Sequence, residues 1–124
     1  MRTSYFAKSS KNPGAISIAR SSPHNYKGLS YIQLAPSWDL LNWYKNTLRM
    51  KTSIAKTNEG YAWRYRREVL HYLDPNIVYA ELLKLTIHEP ILLCWERPGE
   101  FCHRILVAKW LEANILKLLI PEIL

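Results

Sequence analysis

The sequence predicts an α/β fold in which helices flank a short, largely parallel sheet. The run Ile91–Cys94 is apolar throughout, which is typical of a strand covered on both faces. A turn at residues 97–99 and a helical segment follow it, and this strand–loop–helix order favours parallel strands. At 124 residues and 48% hydrophobic composition the chain can bury one core, so we expect a single domain over residues 1–124.

Two short strands are predicted near the N-terminus, at residues 4–7 and 15–19. The second has an apolar alternation at Ile16 and Ile18, and Pro23 cannot continue its ladder. Residues 21–36 show no stable period and are predicted to form a loop. With the helices described next, the predicted order is ββαααβα.

Four helices are predicted from start signals and helical periodicity. Ser37 and Thr57 are candidate N-caps of the first two, and Asp74 followed by Pro75 starts the third, which ends before Pro90. Cys102 or its neighbour opens the last helix. The residues predicted to face inward are Leu40, Leu41, Tyr44, Leu48, Ala62, Tyr65, Val69, Leu73, Val78, Leu82, Leu85, Ile105, Val107, Ala108, Leu111 and Ile115.

The positive charge is concentrated in the first part of the chain. Residues 1–73 hold 12 Lys and Arg against three Asp and Glu, whereas residues 74–124 hold five against seven. This asymmetry predicts an anionic partner: a phosphate-bearing small molecule, a nucleotide or a nucleic acid. On a helix, Trp63, Arg66 and Arg67 cluster on one side, which suits phosphate contact with stacking. The alternative for both features is a solvated surface that serves solubility.

The sequence predicts a cytoplasmic protein. The first residues lack the apolar core of a signal peptide, and no apolar stretch is long enough to cross a bilayer, so we expect no membrane partner. In a reducing compartment Cys94 and Cys102 are expected to be thiols and not a disulfide.

The segment from Cys94 to Arg104 carries a resemblance to a known family. An apolar strand ends in Cys94 with Glu96 close behind, and Cys102-His103-Arg104 opens a helix after a short loop. This pattern resembles the bacterial and phage family known as domain of unknown function 488. Residues 18–23 and 34–38 resemble two further elements of that family. The resemblance implies a Rossmann-like α/β fold and supplies no activity.

Ligands of open parallel sheets bind beyond the carboxyl ends of the strands. In this chain the rule indicates two loops, residues 20–22 after the second strand and residues 94–104 after the last strand. We expect an anion on the N-terminus of the last helix. The predicted ligand-binding residues are Arg20, Ser22, Cys94, His103 and Arg104.

Two further interpretations of the same segment stay open. In the first, the chain is an enzyme with Cys102 as nucleophile, its pKa lowered by the helix N-terminus, and Glu96 as a base or orienting group. In the second, Cys94 is simply buried and Arg104 pairs with Glu96 or Glu100. Cys94, Cys102 and His103 offer at most three metal ligands without the usual paired spacing, so no metal and no other cofactor is expected. A further alternative is a phage or bacterial nucleic-acid-binding or interaction module that uses the basic N-terminal half of the chain. The oligomeric state does not follow from the sequence.

Overall fold

Within residues 1–50 and 53–124, which the computed structural model describes, four strands form one sheet. They are β1 (Arg2–Tyr5), β2 (Ala15–Ser17), β3 (Leu29–Ser30) and β4 (Ile91–Cys94). The spatial order is β1-β4-β2-β3, and all neighbouring strands are parallel. The predicted α/β fold with a short parallel sheet and flanking helices is therefore confirmed.

Five helices connect and cover the strands in the described part of the chain: α1 (Phe6–Ser9), α2 (Trp38–Arg49), α3 (Ile54–Glu68), α4 (Pro75–Leu85) and α5 (His103–Asn114). The Ser37 hydroxyl accepts a hydrogen bond from the Leu40 amide, and the Asp74 carboxylate accepts one from Asn76, so both predicted caps are confirmed. The prediction that Thr57 caps a helix is wrong, because Ser53 caps α3 and Thr57 lies inside that helix. No helix of the described residues is long and apolar enough to traverse a bilayer.

The predicted order lacks α1 and β3. The chain turns into α1 directly after Tyr5, so the predicted strand at residues 4–7 is misplaced. Strand β3 lies inside the predicted loop of residues 21–36, where Tyr26 Oη also donates to the carbonyl oxygens of Ala15 and Leu29. Both residues of β3 are exposed, and their pairing with β2 is a long-range contact that leaves no local period.

Strand β4 lies in the middle of the sheet, and its four residues are buried, as predicted. Ile91 and Leu93 pack into a cluster on one side with Phe6, whereas Leu92 packs into the main core on the other side. Most residues predicted to face inward are buried or partly buried. The exception is Leu85, which is 38% exposed because it is the last residue of α4.

The C-terminal segment covers the outer edge of β1. The Thr3 amide donates to the Pro121 carbonyl over 3.0 Å, and the Ile123 amide donates to the Thr3 carbonyl over 2.8 Å. This pairing protects the backbone of an edge strand. It also places Glu122 within hydrogen-bond distance of Arg104, the second residue of α5.

Candidate functional site

The carboxyl ends of β2 and β4 lie side by side. Ser17 pairs with Leu93, and the Ile18 amide donates to the Leu93 carbonyl over 3.0 Å. The loops that follow are joined where the Trp95 indole Nε1 donates to the Ser21 carbonyl over 2.9 Å. The two loops that the sequence indicated therefore meet at one edge of the sheet.

A cavity of about 80 Å³ opens at this edge. Five residues predicted for the site line it, together with an aromatic wall described below. These five are Arg20, Cys94, Glu96, Cys102 and His103. The cavity is therefore bounded by both loops and by the first residues of α5, and it is large enough only for a small chemical group.

Cys94 and Cys102 are joined as a disulfide in this structure, with their Cα atoms 7.3 Å apart. The prediction that the two thiols stay reduced in a reducing compartment stays a prediction. The intervening loop reverses at residues 97–100, where Gly99 has a φ of 88° and the Glu100 amide donates to the Arg97 carbonyl. That reversal brings the end of β4 against Cys102, the N-cap of α5. The prediction rested on cellular compartment, which carries no information about this geometry.

His103 is held in one tautomer beside Cys102. Its Nε2 lies 2.7 Å from the Ile18 carbonyl oxygen, which can only accept, so Nε2 carries a proton. Burial lowers the pKa of His103 to about 4. The hydrogen bond to Ile18 raises this pKa, and the charge of Arg104 lowers it further. The ring is therefore neutral at pH 7, and its unprotonated Nδ1 lies 3.8 Å from Cys102 Sγ.

Arg104 lies behind Cys94 and does not line the cavity. Its side chain is fully buried, and Nη1 donates to Cys94 Sγ over 3.0 Å. Nη2 and Nε donate to the two carboxylate oxygens of Glu122 over 2.7 and 3.1 Å. The acidic partner of Arg104 is therefore Glu122. The sequence-based interpretation that Arg104 pairs with Glu96 or Glu100 is wrong.

Glu122 holds the other end of this ion pair. Burial raises its pKa, but the hydrogen bonds from Arg104 and Thr3 and the charge of Arg104 lower it more, so the net pKa is below the ordinary value. Glu122 therefore stays ionised and neutralises Arg104 inside the protein.

Glu96 lines the cavity and is partly buried. Burial raises its pKa above the ordinary value, although its own backbone amide and the charge of Arg104 act in the opposite direction, and Glu100 raises it further. Glu96 therefore keeps its proton to a higher pH than an ordinary carboxyl group does.

Arg20 and Ser22, both predicted to bind the ligand, differ in position. Arg20 lines the cavity, where its Nε and Nη2 donate to the carbonyl oxygens of Pro36 and Ala35 over 2.8 and 3.3 Å. These bonds orient the guanidinium at the cavity rim. Ser22 does not line the cavity, because its hydroxyl is hydrogen-bonded to that of Ser17 over 2.7 Å and positions the loop.

A protein-family model matches residues 7–115. The matching model is DUF488-N3a, described as the active DUF488-N3 subclade. The chain belongs to this family. Searches of curated proteins and of solved structures find no match.

The DUF488 resemblance did not predict the aromatic wall of the cavity. Tyr44, Tyr61 and Phe101 pack against one another, with ring centroids 5.2 to 6.1 Å apart. Tyr44 was predicted only as a core residue, and it lies between its hydroxyl partner Asn58 and the cavity. The periodicity showed that Tyr44 faces inward, but it did not show that a cavity lies there.

The ligand atoms of Cys94, Cys102 and His103 in this DUF488 member lie within 4.8 Å of one another. Zinc binds to thiolate and imidazole groups at such spacings. In the disulfide neither sulfur is a thiolate, so this state does not offer the sulfur ligands that zinc requires.

The basic residues of α3 lie outside the cavity. The Arg67 guanidinium stacks 4.7 Å above the Trp63 ring, and Arg66 and Arg67 line a separate open groove with Lys109. The prediction that these residues contact nucleic acid stays a prediction.

Proposed function

We propose that this chain is a cysteine-dependent enzyme that acts on a small substrate bearing an anionic group. Cys102 is the nucleophile. The observation that carries this proposal is the fixed tautomer of His103, whose Nδ1 is held 3.8 Å from Cys102 Sγ by the bond from Nε2 to Ile18. A nucleophilic sulfur beside an imidazole whose orientation is fixed by a third group is a usual arrangement of thiol catalysis. The description of the matching subclade as active agrees with this proposal.

The reaction begins from the reduced form of the Cys94–Cys102 pair. His103 Nδ1 accepts a hydrogen bond from the Cys102 thiol and orients it, and because burial keeps the pKa of His103 at about 4, the thiol proton passes to solvent. The position of Cys102 as N-cap of the 12-residue helix α5 stabilises the thiolate. The thiolate then attacks the electrophilic atom of the substrate. Glu96, which keeps its proton to a higher pH than an ordinary carboxyl, donates that proton to the leaving group.

The anionic group of the substrate binds between Arg20 and the N-terminus of α5. Helix N-termini present amides without intrahelical partners, and Arg20 adds a full positive charge at the rim. Because the cavity is only about 80 Å³, it accepts the reacting group of a phosphate-bearing or nucleotide-like molecule while the remainder lies outside.

Alkylation of the reduced protein by iodoacetate and iodoacetamide tests both the nucleophile and the anion site. The two reagents share one leaving group and differ in charge, so the ratio of their rates at Cys102 measures attraction of an anion. We expect Arg20→Gln to lower this ratio about tenfold, which corresponds to the loss of about 1.4 kcal/mol from a charge-assisted contact. Arg66→Gln removes the same charge from the exposed face of α3 and is expected to leave the ratio within about twofold.

Thermal unfolding of each variant is measured beside alkylation, because unfolded molecules react with both reagents without a preference for the anion. Equal ratios in the wild type, Arg20→Gln and Arg66→Gln would remove the anion site. Slow alkylation of Cys102, at the rate of an ordinary exposed thiol or below it, would remove the nucleophile.

A further inference from the structure

We infer that Cys94 is a resolving cysteine and that the reaction is the reduction of a small disulfide that carries an anionic group. This inference rests on the proposed function, since it takes Cys102 as the attacking thiol. It adds a second covalent step and a substrate class. The disulfide between Cys94 and Cys102 is then the oxidised product state of the enzyme.

Position and contacts give the two cysteines different roles. Cys102 is the N-cap of α5 and has His103 Nδ1 beside its sulfur. Cys94 is fixed in the central strand, and its sulfur accepts a hydrogen bond from the buried guanidinium of Arg104 over 3.0 Å. A cation beside a sulfur favours the thiolate, which is the attacking form in thiol–disulfide exchange and also the better leaving group.

The reduction takes place in two exchange steps. The Cys102 thiolate attacks one sulfur of the substrate disulfide R–S–S–R, a mixed disulfide forms between Cys102 and RS, and the first RS⁻ leaves. The Cys94 thiolate then attacks the Cys102 sulfur, the Cys94–Cys102 bond forms, and the second RS⁻ leaves. The substrate gains two electrons, and the cysteine pair loses two. An external dithiol reductant restores both thiols. Its first thiolate attacks the Cys102 sulfur, and Cys94 leaves as the thiolate beside Arg104; its second thiolate then attacks its own sulfur in the mixed disulfide, and Cys102 leaves as the thiolate.

The cavity favours this substrate class. Arg20 at the rim attracts an anionic substituent, and Tyr44 and Phe101 form an apolar wall beside the cysteines. A sulfur–sulfur bond is small enough to reach Cys102 while its substituents stay at the opening. An aromatic disulfide that bears carboxylates therefore combines the features that this site recognises.

The probe is 5,5′-dithiobis(2-nitrobenzoate), an aromatic disulfide with two carboxylates. We mix it in slight excess with the reduced wild type, Cys94→Ser and Cys102→Ser, and we follow the released thiolate by absorbance and the protein by intact mass. The wild type is expected to release two thiolates and to end as the internal disulfide without an adduct. Cys94→Ser is expected to release one and to keep a stable mixed disulfide on Cys102. Cys94→Ala provides a second variant in case serine beside Arg104 impairs folding.

Each result decides one claim. If the wild type keeps an adduct on Cys102 as long as Cys94→Ser does, Cys94 does not resolve and the inference is overturned, whereas the nucleophile of the proposed function stands. If Cys102→Ser captures the probe on Cys94 and the Cys94 variants capture none, the nucleophile itself is wrong and both fall. A second thiolate that is released at a rate independent of probe concentration supports intramolecular resolution by Cys94.

Discussion

The ion pair between Arg104 and Glu122 is expected to be a main stabilising contact of the fold, so the loss of either partner is expected to lower the free energy of unfolding. Arg104 is fully buried, the Glu122 side chain is 15% exposed, and two charge-assisted hydrogen bonds join them. Removal of one partner from a buried pair costs about 3–5 kcal/mol, because the other charge is left uncompensated. Glu122→Gln leaves Arg104 in that position, so we expect a loss of about 3 kcal/mol.

This loss converts into a large change of melting temperature. An unfolding entropy of about 2.1 cal/mol/K per residue gives about 0.26 kcal/mol/K for 124 residues. A loss of about 3 kcal/mol therefore lowers the Tm by about 12 °C. Thermal unfolding of the wild type, Glu122→Gln, Arg104→Met and the double variant, followed by circular dichroism, measures it.

The double variant tests whether the two side chains act as a pair. If they do, the double variant loses less unfolding free energy than the two single variants lose together, by about 1.5 kcal/mol or more, because neither charge remains buried alone. Additive losses, or a Tm decrease below about 3 °C for Glu122→Gln, would refute the reasoning. The control is Glu59→Gln, because Glu59 is exposed. Glu112→Gln is unsuitable, because the Glu112 carboxylate accepts a hydrogen bond from the Ile120 amide.

Three further predictions concern stability. The pKa of Glu122 is lowered in the folded protein, so its contribution to stability is present above its ordinary pKa of 4.5 and is lost as the pH falls through the folded pKa. When the Tm is measured against pH, the decrease below pH 4.5 is therefore expected to be smaller in Glu122→Gln than in the wild type. Gly14→Ala is expected to destabilise the protein by about 1–3 kcal/mol in urea denaturation, because a Cβ at Gly14 would overlap the Glu89 carbonyl, and an unchanged midpoint would contradict that close approach. Ser37→Ala is expected to cost about 1 kcal/mol through the lost cap of α2, whereas a cost near zero would mean that solvent replaces the cap.

Local signals predicted the frame of the molecule. Ser37 and the Asp74-Pro75 pair mark helix starts because capping involves residues only two or three positions apart. The apolar run Ile91–Cys94 predicted the central strand, since burial on both faces requires an apolar side chain at every position. The rule for ligand sites in open sheets then predicted that the loops after β2 and β4 meet, as Trp95 and Ser21 do.

Long-range contacts could not be predicted in this way. Glu122 lies 18 residues from Arg104 in a segment without periodicity, and it is brought there only by pairing of the C-terminal segment with β1. The aromatic wall depends on how α2 and α3 pack beside the loop of Phe101. The Cys94–Cys102 bond depends on the reversal at Gly99, a conformation that the sequence permits without imposing.

The nucleophilic character of Cys102 is tested most directly by the pH dependence of its alkylation. Reduced wild type and His103→Asn are treated with iodoacetamide between pH 5 and 10, and each cysteine is followed separately by peptide mass spectrometry. We expect Cys102 in the wild type to react faster than Cys94, with an apparent pKa below the value of about 8.5 for an ordinary thiol. In His103→Asn the reaction at neutral pH is expected to slow about tenfold or more, because the imidazole Nδ1 that orients the Cys102 sulfur is lost. Equal, slow alkylation of both cysteines with an ordinary thiol pKa, unchanged in His103→Asn, would contradict the assignment of Cys102 as the nucleophile.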